Sequence, residues 1–298
     1  MLSFIAKADY PEDYPTLLSD LLSLLSSGNT SSIHGAMQVL SDFIRNELSE
    51  DQLLPILRQL LPLLLTVLAP QGSSDQHSPL TRARAVAIFR QCMTALDMVR
   101  KEHPDAVSEA VSTVLPQWLS TFHAVLSTPP SADVTDPNNW DAISIRIQIF
   151  RTLDVIQQSF TMTPEVTEGF CNDMVQNLND LMAPFRTYYL LGGANSEKGG
   201  LEPPTPVSAD DPDINLSLMH LACPAMDFLG EVIRKSVKKT KVGADWVTAN
   251  IGTVMSLALY WAQIPVEDVS QFPAVMKRAS HMLSTGGHLG GRCKCLCS

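Results

Sequence analysis

Three cysteines at alternate positions, Cys293, Cys295 and Cys297, are the densest group of metal-capable side chains in the sequence. Thiolates hold zinc when two of them are spaced by two to four residues and a second pair completes the tetrahedron. Here one residue separates each pair and no second cluster completes the set, so the run reads as tail. Gly192-Gly193-Ala194-Asn195-Ser196-Glu197-Lys198-Gly199-Gly200 has glycine enough to cradle a phosphate. A phosphate loop follows a strand, however, and none precedes this one, so it reads as linker. Seven histidines are scattered; His34, His123 and His220 lie in apolar helical patterns and read as packed or capping side chains. With 31 Asp and Glu, some acid pair is always to be found, and none counts as a catalytic dyad. There is no HExxH helix, no Walker lysine loop and no GxSxG elbow. These residues predict no enzyme, no metal and no cofactor.

Charge is the remaining chemistry. The 31 acids face 21 Lys and Arg, a net charge of -10. Phosphate binding needs clustered cations, so a general affinity for nucleic acid or an anionic membrane is excluded as an expectation. Between Glu102 and Glu231 the bias sharpens: 18 acids stand against Arg146, Arg151, Arg186 and Lys198. A solvated surface and an acidic concave face that attracts a basic partner both fit that bias. Glu202, Asp210, Asp211 and Asp213, crowded into one loop, are the candidate contacts for such a partner. The opposite run, Arg234-Lys235-Ser236-Val237-Lys238-Lys239-Thr240-Lys241, sits where cations complement a helix C-terminus. A localisation signal or an acidic partner is the other reading.

The elements that would position these groups are helices. Leu18, Leu21, Leu22 and Leu25 recur at helical spacing, as do Ile33, Met37, Leu40, Ile44 and Leu48. Val107, Val111, Val114, Trp118, Phe122 and Val125 form another stripe, and Ile145, Ile149, Leu153, Ile156 and Phe160 another. No alternating run of β-branched residues suggests a strand. Ser26 to Thr30 is a turn expected to supply capping hydroxyls, and Ser49 caps the helix after it. Pro104 and Pro164 open helices, while Ser127 to Asn139 and Gly192 to Pro212 are the longer loops. About ten helices paired by short turns result. Leu53 to Ala69, the most apolar stretch, is too short and too interrupted by Pro55, Arg58 and Pro62 to span a membrane. No basic, then apolar, leader is present after Met1. Cys92, Cys171 and Cys223 read as buried free thiols, which suits a reducing compartment.

The pairing repeats. Every second helix ends an apolar patch at an aromatic: Phe43, Phe89, Phe150 and Phe228. The first interval fits a HEAT-type period of ~40–47 residues, and insertions at 127–139 and 192–212 lengthen the others. The preceding helices share a Leu-Pro habit at Pro55, Pro62 and Pro116, where a buried proline would bend the axis. One hairpin cannot bury its own apolar face, so neighbours must stack. The expected fold is all-α, a right-handed α-solenoid of HEAT-type hairpins over residues 1–268. A compact helical bundle is the competing architecture.

Particular residues carry a family resemblance. Asp9-Tyr10-Pro11-Glu12-Asp13-Tyr14-Pro15 followed by Leu17-Leu18 resembles an early-repeat signature of the importin-beta superfamily. His34-Gly35-Ala36-Met37-Gln38-Val39-Leu40-Ser41-Asp42-Phe43 resembles the importin-9 branch, as do Thr81 to Phe89 and Leu259-Tyr260-Trp261-Ala262-Gln263-Ile264. These run in family order over about residues 1–268. The resemblance implies a HEAT-repeat nuclear transport receptor that moves between cytoplasm and nucleus. It implies basic cargo such as histones or ribosomal proteins, Phe-Gly nucleoporins as pore contacts, and the GTP form of Ran as partner. The helices that form much of the Ran-binding arch precede the resembling stretch, so Ran contact is expected to be weakened and the chain to be a fragment or a shortened gene model. After Asp268 the sequence departs from the family, and residues 269–298 are expected to be an unpacked tail. An export receptor of the same superfamily, or a HEAT scaffold such as a phosphatase or kinase regulatory subunit, would share the fold.

Overall fold

A computed structural model describes residues 13–27, 29–46, 50–69, 77–130, 137–190, 218–237 and 244–263. They carry ten α-helices and no strand: α1 (Leu17–Leu25), α2 (Thr30–Asn46), α3 (Glu50–Leu68), α4 (Pro79–Val99), α5 (Pro104–Leu126), α6 (Pro137–Ser159), α7 (Pro164–Asp180), the single turn α8 (Met182–Phe185), α9 (Leu218–Val237) and α10 (Ala244–Trp261). A π-helical turn, Arg186–Leu190, follows α8.

The helices fall into two layers. In the first, α1, α3, α5, α7 and α10 each lie beside the next; in the second, α2, α4, α6 and α9 do the same. The layers are joined most closely within the hairpins α1/α2 and α3/α4 and between α9 and α10. This is a stack of two-helix units, an α-solenoid, and among the described residues no extensive contact joins its first hairpin to its last. The compact bundle is therefore set aside.

Burial follows from position in the stack. α6 has α4 on one side, α9 on the other and α5 above, and every side chain from Ile143 to Phe150 is buried. A helix enclosed all round loses the one-sided apolar pattern, which is why Ile143 and Ile147 did not belong to the expected stripe yet are 1% and 0% exposed. The marker aromatics all lie in the second layer: Phe43, Phe89, Phe150 and Phe228 are fully buried. Phe89 stacks on Trp118 of α5 with ring centroids 3.8 Å apart, and Phe122 meets both rings edge-on. One aromatic cluster thus bonds the second hairpin to the third.

Polar rungs cross the second layer where apolar contact alone would leave register free. Gln91 Nε2 donates to Ser41 Oγ at 3.0 Å, and Arg90 Nη1 donates to Gln148 Oε1 at 2.5 Å. Lys235 Nζ reaches the Gln157 carbonyl at 3.0 Å.

Three local expectations are corrected. The cap of α2 is not a hydroxyl: Asn29 Oδ1 accepts from the backbone N–H of Ser31 and Ser32 at 3.0 and 3.4 Å, because the Asx carbonyl mimics a backbone carbonyl and bonds the N–H two residues on. Helix α6 begins at Pro137, inside the expected loop, since proline is well placed at a first helical position. Pro55, Pro62 and Pro116 are exposed rather than buried. A proline frees the carbonyl four residues earlier, and on the outer face water can satisfy it. Ser49 and the loop from Gly192 to Pro212 lie outside the described residues. No described helix is long and apolar enough to cross a membrane.

Candidate functional site

Helix α5 carries two apolar seams. Trp118, Phe122 and Leu126 turn into the aromatic cluster and the core. Val111, Leu115 and Leu119, each four residues from the last, turn towards α7 without closing on it. Opposite them stand Val166, Gly169 and Phe170 of α7, with Met162 just before it. The result is a groove of 910 Å³ between two neighbouring first-layer helices. A Cβ built on Gly169 would meet no atom within 4 Å, so the groove is open at that point.

Both ends are pinned by polar contacts. At the mouth, Arg100 donates to the Ser159 carbonyl, its guanidinium lies 5.8 Å from the Phe160 ring centroid, and Ser159 Oγ donates to Asp97 at 2.9 Å. The loop into α7 is fixed by Thr163, whose hydroxyl accepts from the Val166 N–H at 3.4 Å with Pro164 at the first helical position. At the far end His123 Nδ1 lies 2.6 Å from Asp173 Oδ2, and the His123 ring meets Phe170 edge-on. Beneath this pair Arg146 is 6% exposed. It donates to Asn177 Oδ1 at 2.8 Å and to the Thr128 carbonyl at 2.6 Å, while Asn177 Nδ2 holds the Leu126 carbonyl at 2.9 Å. The end of α5 is thereby tied to α6 and α7 at once.

Burial sets the electrostatics here. It pushes the Asp173 carboxyl above its ordinary range, and the hydrogen bond from His123 and the charge of Arg146 pull it part of the way back. It lowers Arg146 to about 10, with Asp180 and Asp173 opposing. The thiols of Cys92 and Cys171 are raised by burial, Cys171 to about 12, so both stay protonated near neutral pH. Cys223 is in no disulfide and is only half-buried. The groove thus offers apolar walls between neutralised polar ends, an arrangement suited to holding aromatic or aliphatic side chains of an extended chain.

No protein-family model matches the chain. Importin subunit beta-5 of Schizosaccharomyces pombe (strain 972 / ATCC 24843) is 28% identical over 169 residues, which cover 55% of this chain and 17% of that protein. The chain is a relative of the importin-beta superfamily. It corresponds to only a part of such a protein.

The groove of this importin-beta relative was only half visible in its sequence. Val111 stood in an apolar stripe and Leu115 and Leu119 flanked Pro116 in the Leu-Pro run, but Val166, Gly169 and Phe170 were not singled out. The signal that could have marked the α5 wall is the second seam of that helix, at Val107, Val111, Leu115 and Leu119, set apart from the seam of Trp118 and Phe122. The expected partner contacts Glu202, Asp210, Asp211 and Asp213 lie outside the described residues. Of the other acids in that segment, Asp105, Glu109, Glu165 and Glu168 lie on the N-terminal halves of α5 and α7, where the helix dipole favours them. Arg146, counted among the few balancing bases, is enclosed and spent on its hydrogen bonds. His34 is half-buried beside Arg84, whereas His123 bonds Asp173 with its own ring largely exposed rather than packed.

Proposed function

We propose that this importin-beta relative is part of a nuclear transport receptor of the importin-9 type, carrying basic nuclear cargo such as histones or ribosomal proteins and linked to Ran-GTP. The observation that carries the reading is the groove between α5 and α7: an apolar slot between successive first-layer helices of a solenoid whose curated relative is an importin subunit. Its walls suit the phenylalanine side chains of Phe-Gly segments, and Gly169 leaves room for one to enter. The net charge of -10, concentrated between Glu102 and Glu231, supports a basic cargo drawn by long-range attraction. Glu202, Asp210, Asp211 and Asp213 are its proposed contacts. Ran and cargo would communicate through the curvature of the stack, each altering the affinity of the other by the same factor. The protein would shuttle between cytoplasm and nucleus.

Binding to immobilised Ran-GTP, Ran-GDP, a histone dimer and a Phe-Gly peptide tests the reading, at about 0.1 M and 1 M salt, between which the screening length falls from ~10 to ~3 Å. Histone capture that weakens with salt, peptide capture that does not, and preference for Ran-GTP are expected. Equal Ran binding in both nucleotide states, or none, with no peptide captured, would favour a HEAT scaffold. Histone capture indifferent to salt would remove the electrostatic part.

A further inference from the structure

Three described positions set a hydroxyl residue before a proline: Ser78-Pro79, Thr128-Pro129 and Thr163-Pro164. A fourth pair, Thr205-Pro206, and the expected unpacked tail 269–298 lie outside the described residues and are set aside. Ser78 and Thr163 are helix caps. Ser78 Oγ accepts from the Thr81 N–H at 3.3 Å and Thr163 Oγ1 from the Val166 N–H at 3.4 Å, each with its proline in the first helical turn. Helix starts account for both pairs.

Thr128 stands at the other end of a helix. α5 finishes at Leu126, and Thr128, Pro129 and Pro130 follow it outside any helix. The Thr128 side chain is exposed, and among the described residues its hydroxyl reaches only the Ala124 carbonyl, at a long 3.4 Å. A residue before proline is held extended, and a second proline continues that course. The backbone is fixed from beneath, because the Thr128 carbonyl accepts the 2.6 Å bond from the enclosed Arg146. An extended, outward hydroxyl followed by proline is what the cleft of a proline-directed kinase can align with a γ-phosphate and a catalytic aspartate. The caps at Ser78 and Thr163 run straight into helix, which such a cleft cannot take.

Cations converge on the same turn. His123, in the last turn of α5, has a side chain 57% exposed. Its Nδ1 is engaged by Asp173. Its Nε2 lies 3.5 Å from Ser127 Oγ, next to Thr128, and has no closer partner among the described residues. Arg146 of α6 adds its charge at the Thr128 carbonyl, while Asp173 and Asp180 of α7 and the negative end of the α5 dipole oppose an anion there. Direct contact with the unused imidazole nitrogen outweighs the more distant acids.

We propose that Thr128 is the phosphoacceptor of a proline-directed protein kinase, and that its phosphate is held by His123 Nε2. A phosphate–imidazole–carboxylate bridge would then fasten α5 to α7 at the far end of the groove. In the transfer, the bond from the γ-phosphorus of ATP to the bridging oxygen breaks and the bond from Thr128 Oγ1 to phosphorus forms. ADP leaves, and the hydroxyl proton passes to the kinase's catalytic aspartate. The inference is independent of what the groove holds.

The test treats the full chain with ATP and a proline-directed kinase and maps the product by mass spectrometry. Phosphate on Thr128, at least about tenfold more than on Ser78 or Thr163, is expected. The phosphorus resonance lost in Thr128→Ala is then titrated by NMR. A phosphothreonine takes up its second proton near pH ~6. Contact with His123 should lower that midpoint by about 0.5 relative to phosphorylated His123→Gln, a roughly threefold change in proton affinity. Hydrogen exchange at the end of α5 should slow on phosphorylation in the wild type and not in His123→Gln. An unmodified Thr128, or one modified no more than Ser78 and Thr163, would overturn the site. Equal midpoints in the wild type and His123→Gln would overturn the bridge.

Discussion

His123 on α5 and Asp173 on α7 face each other at 2.6 Å across the far end of the groove, and the carboxylate is the buried member of the pair. Burial holds the Asp173 pKa above its ordinary value. An acid whose pKa is higher folded than unfolded binds its proton more tightly in the native state. Its contribution to stability therefore falls as pH rises through the folded value, and is recovered on acidification towards about 4. Asp173→Asn removes that component. The stability of the wild type minus that of Asp173→Asn should grow as pH is lowered from 7 to 4, measured in urea titrations. A difference that is flat or shrinks would contradict the assignment.

Arg146 makes a second prediction because its hydrogen bonds join three helices. Arg146→Met strips the donors from the Thr128 carbonyl and Asn177 Oδ1 while keeping the volume. The expected loss is about 3 kcal/mol, with faster hydrogen exchange at the end of α5. Arg146→Lys should recover little, since an ammonium cannot reproduce the planar fork.

Gly169 separates filling the groove from breaking the fold. With open space around its Cβ position, Gly169→Ala should leave stability unchanged or raise it by up to about 1 kcal/mol, because alanine favours helix. Gly169→Leu should keep the melting temperature and lower Phe-Gly peptide affinity about tenfold or more, read by fluorescence anisotropy. Undiminished affinity would place the peptide elsewhere.

Phe150 is fully buried in the most enclosed helix, with α4 and α9 on its two sides. Phe150→Ala should cost about 3–5 kcal/mol. In a stack where each unit is held by its neighbours, the loss should appear as faster exchange in both α4 and α9. A loss confined to α6 would argue against that coupling.

Much of the stack was legible because its signals are local. The stripe of Leu18, Leu21, Leu22 and Leu25 and that of Ile33, Met37, Leu40 and Ile44 are buried as their spacing required. So was the repeat: Phe150 and Phe228 are separated by the same number of residues as Gln157 and Lys235, which are bonded in space. At this step the interval between marker residues equals the offset between bonded residues of neighbouring helices; at the two earlier steps the rungs Ser41–Gln91 and Arg90–Gln148 differ from it by about one helical turn.

Other features were not legible because they depend on distance between elements rather than on order along one. A valine every four residues says that α5 has an apolar side, and says nothing of how far α7 stands from it. Whether Val111, Leu115 and Leu119 are core or the wall of a slot is decided by the placement of α5 against α7, tied directly at one end by His123–Asp173 and flanked at the other by the Arg100–Ser159 bond between the ends of α4 and α6. The fates of Arg146 and Asp173 are of the same kind: a charge is priced by its surroundings, and those come from three different helices. Helix content, hairpin period and charge balance are properties of neighbours in the chain, and the amino-acid order determined them. The groove and its polar ends are properties of neighbours in space, and only the packing of the helices decided those.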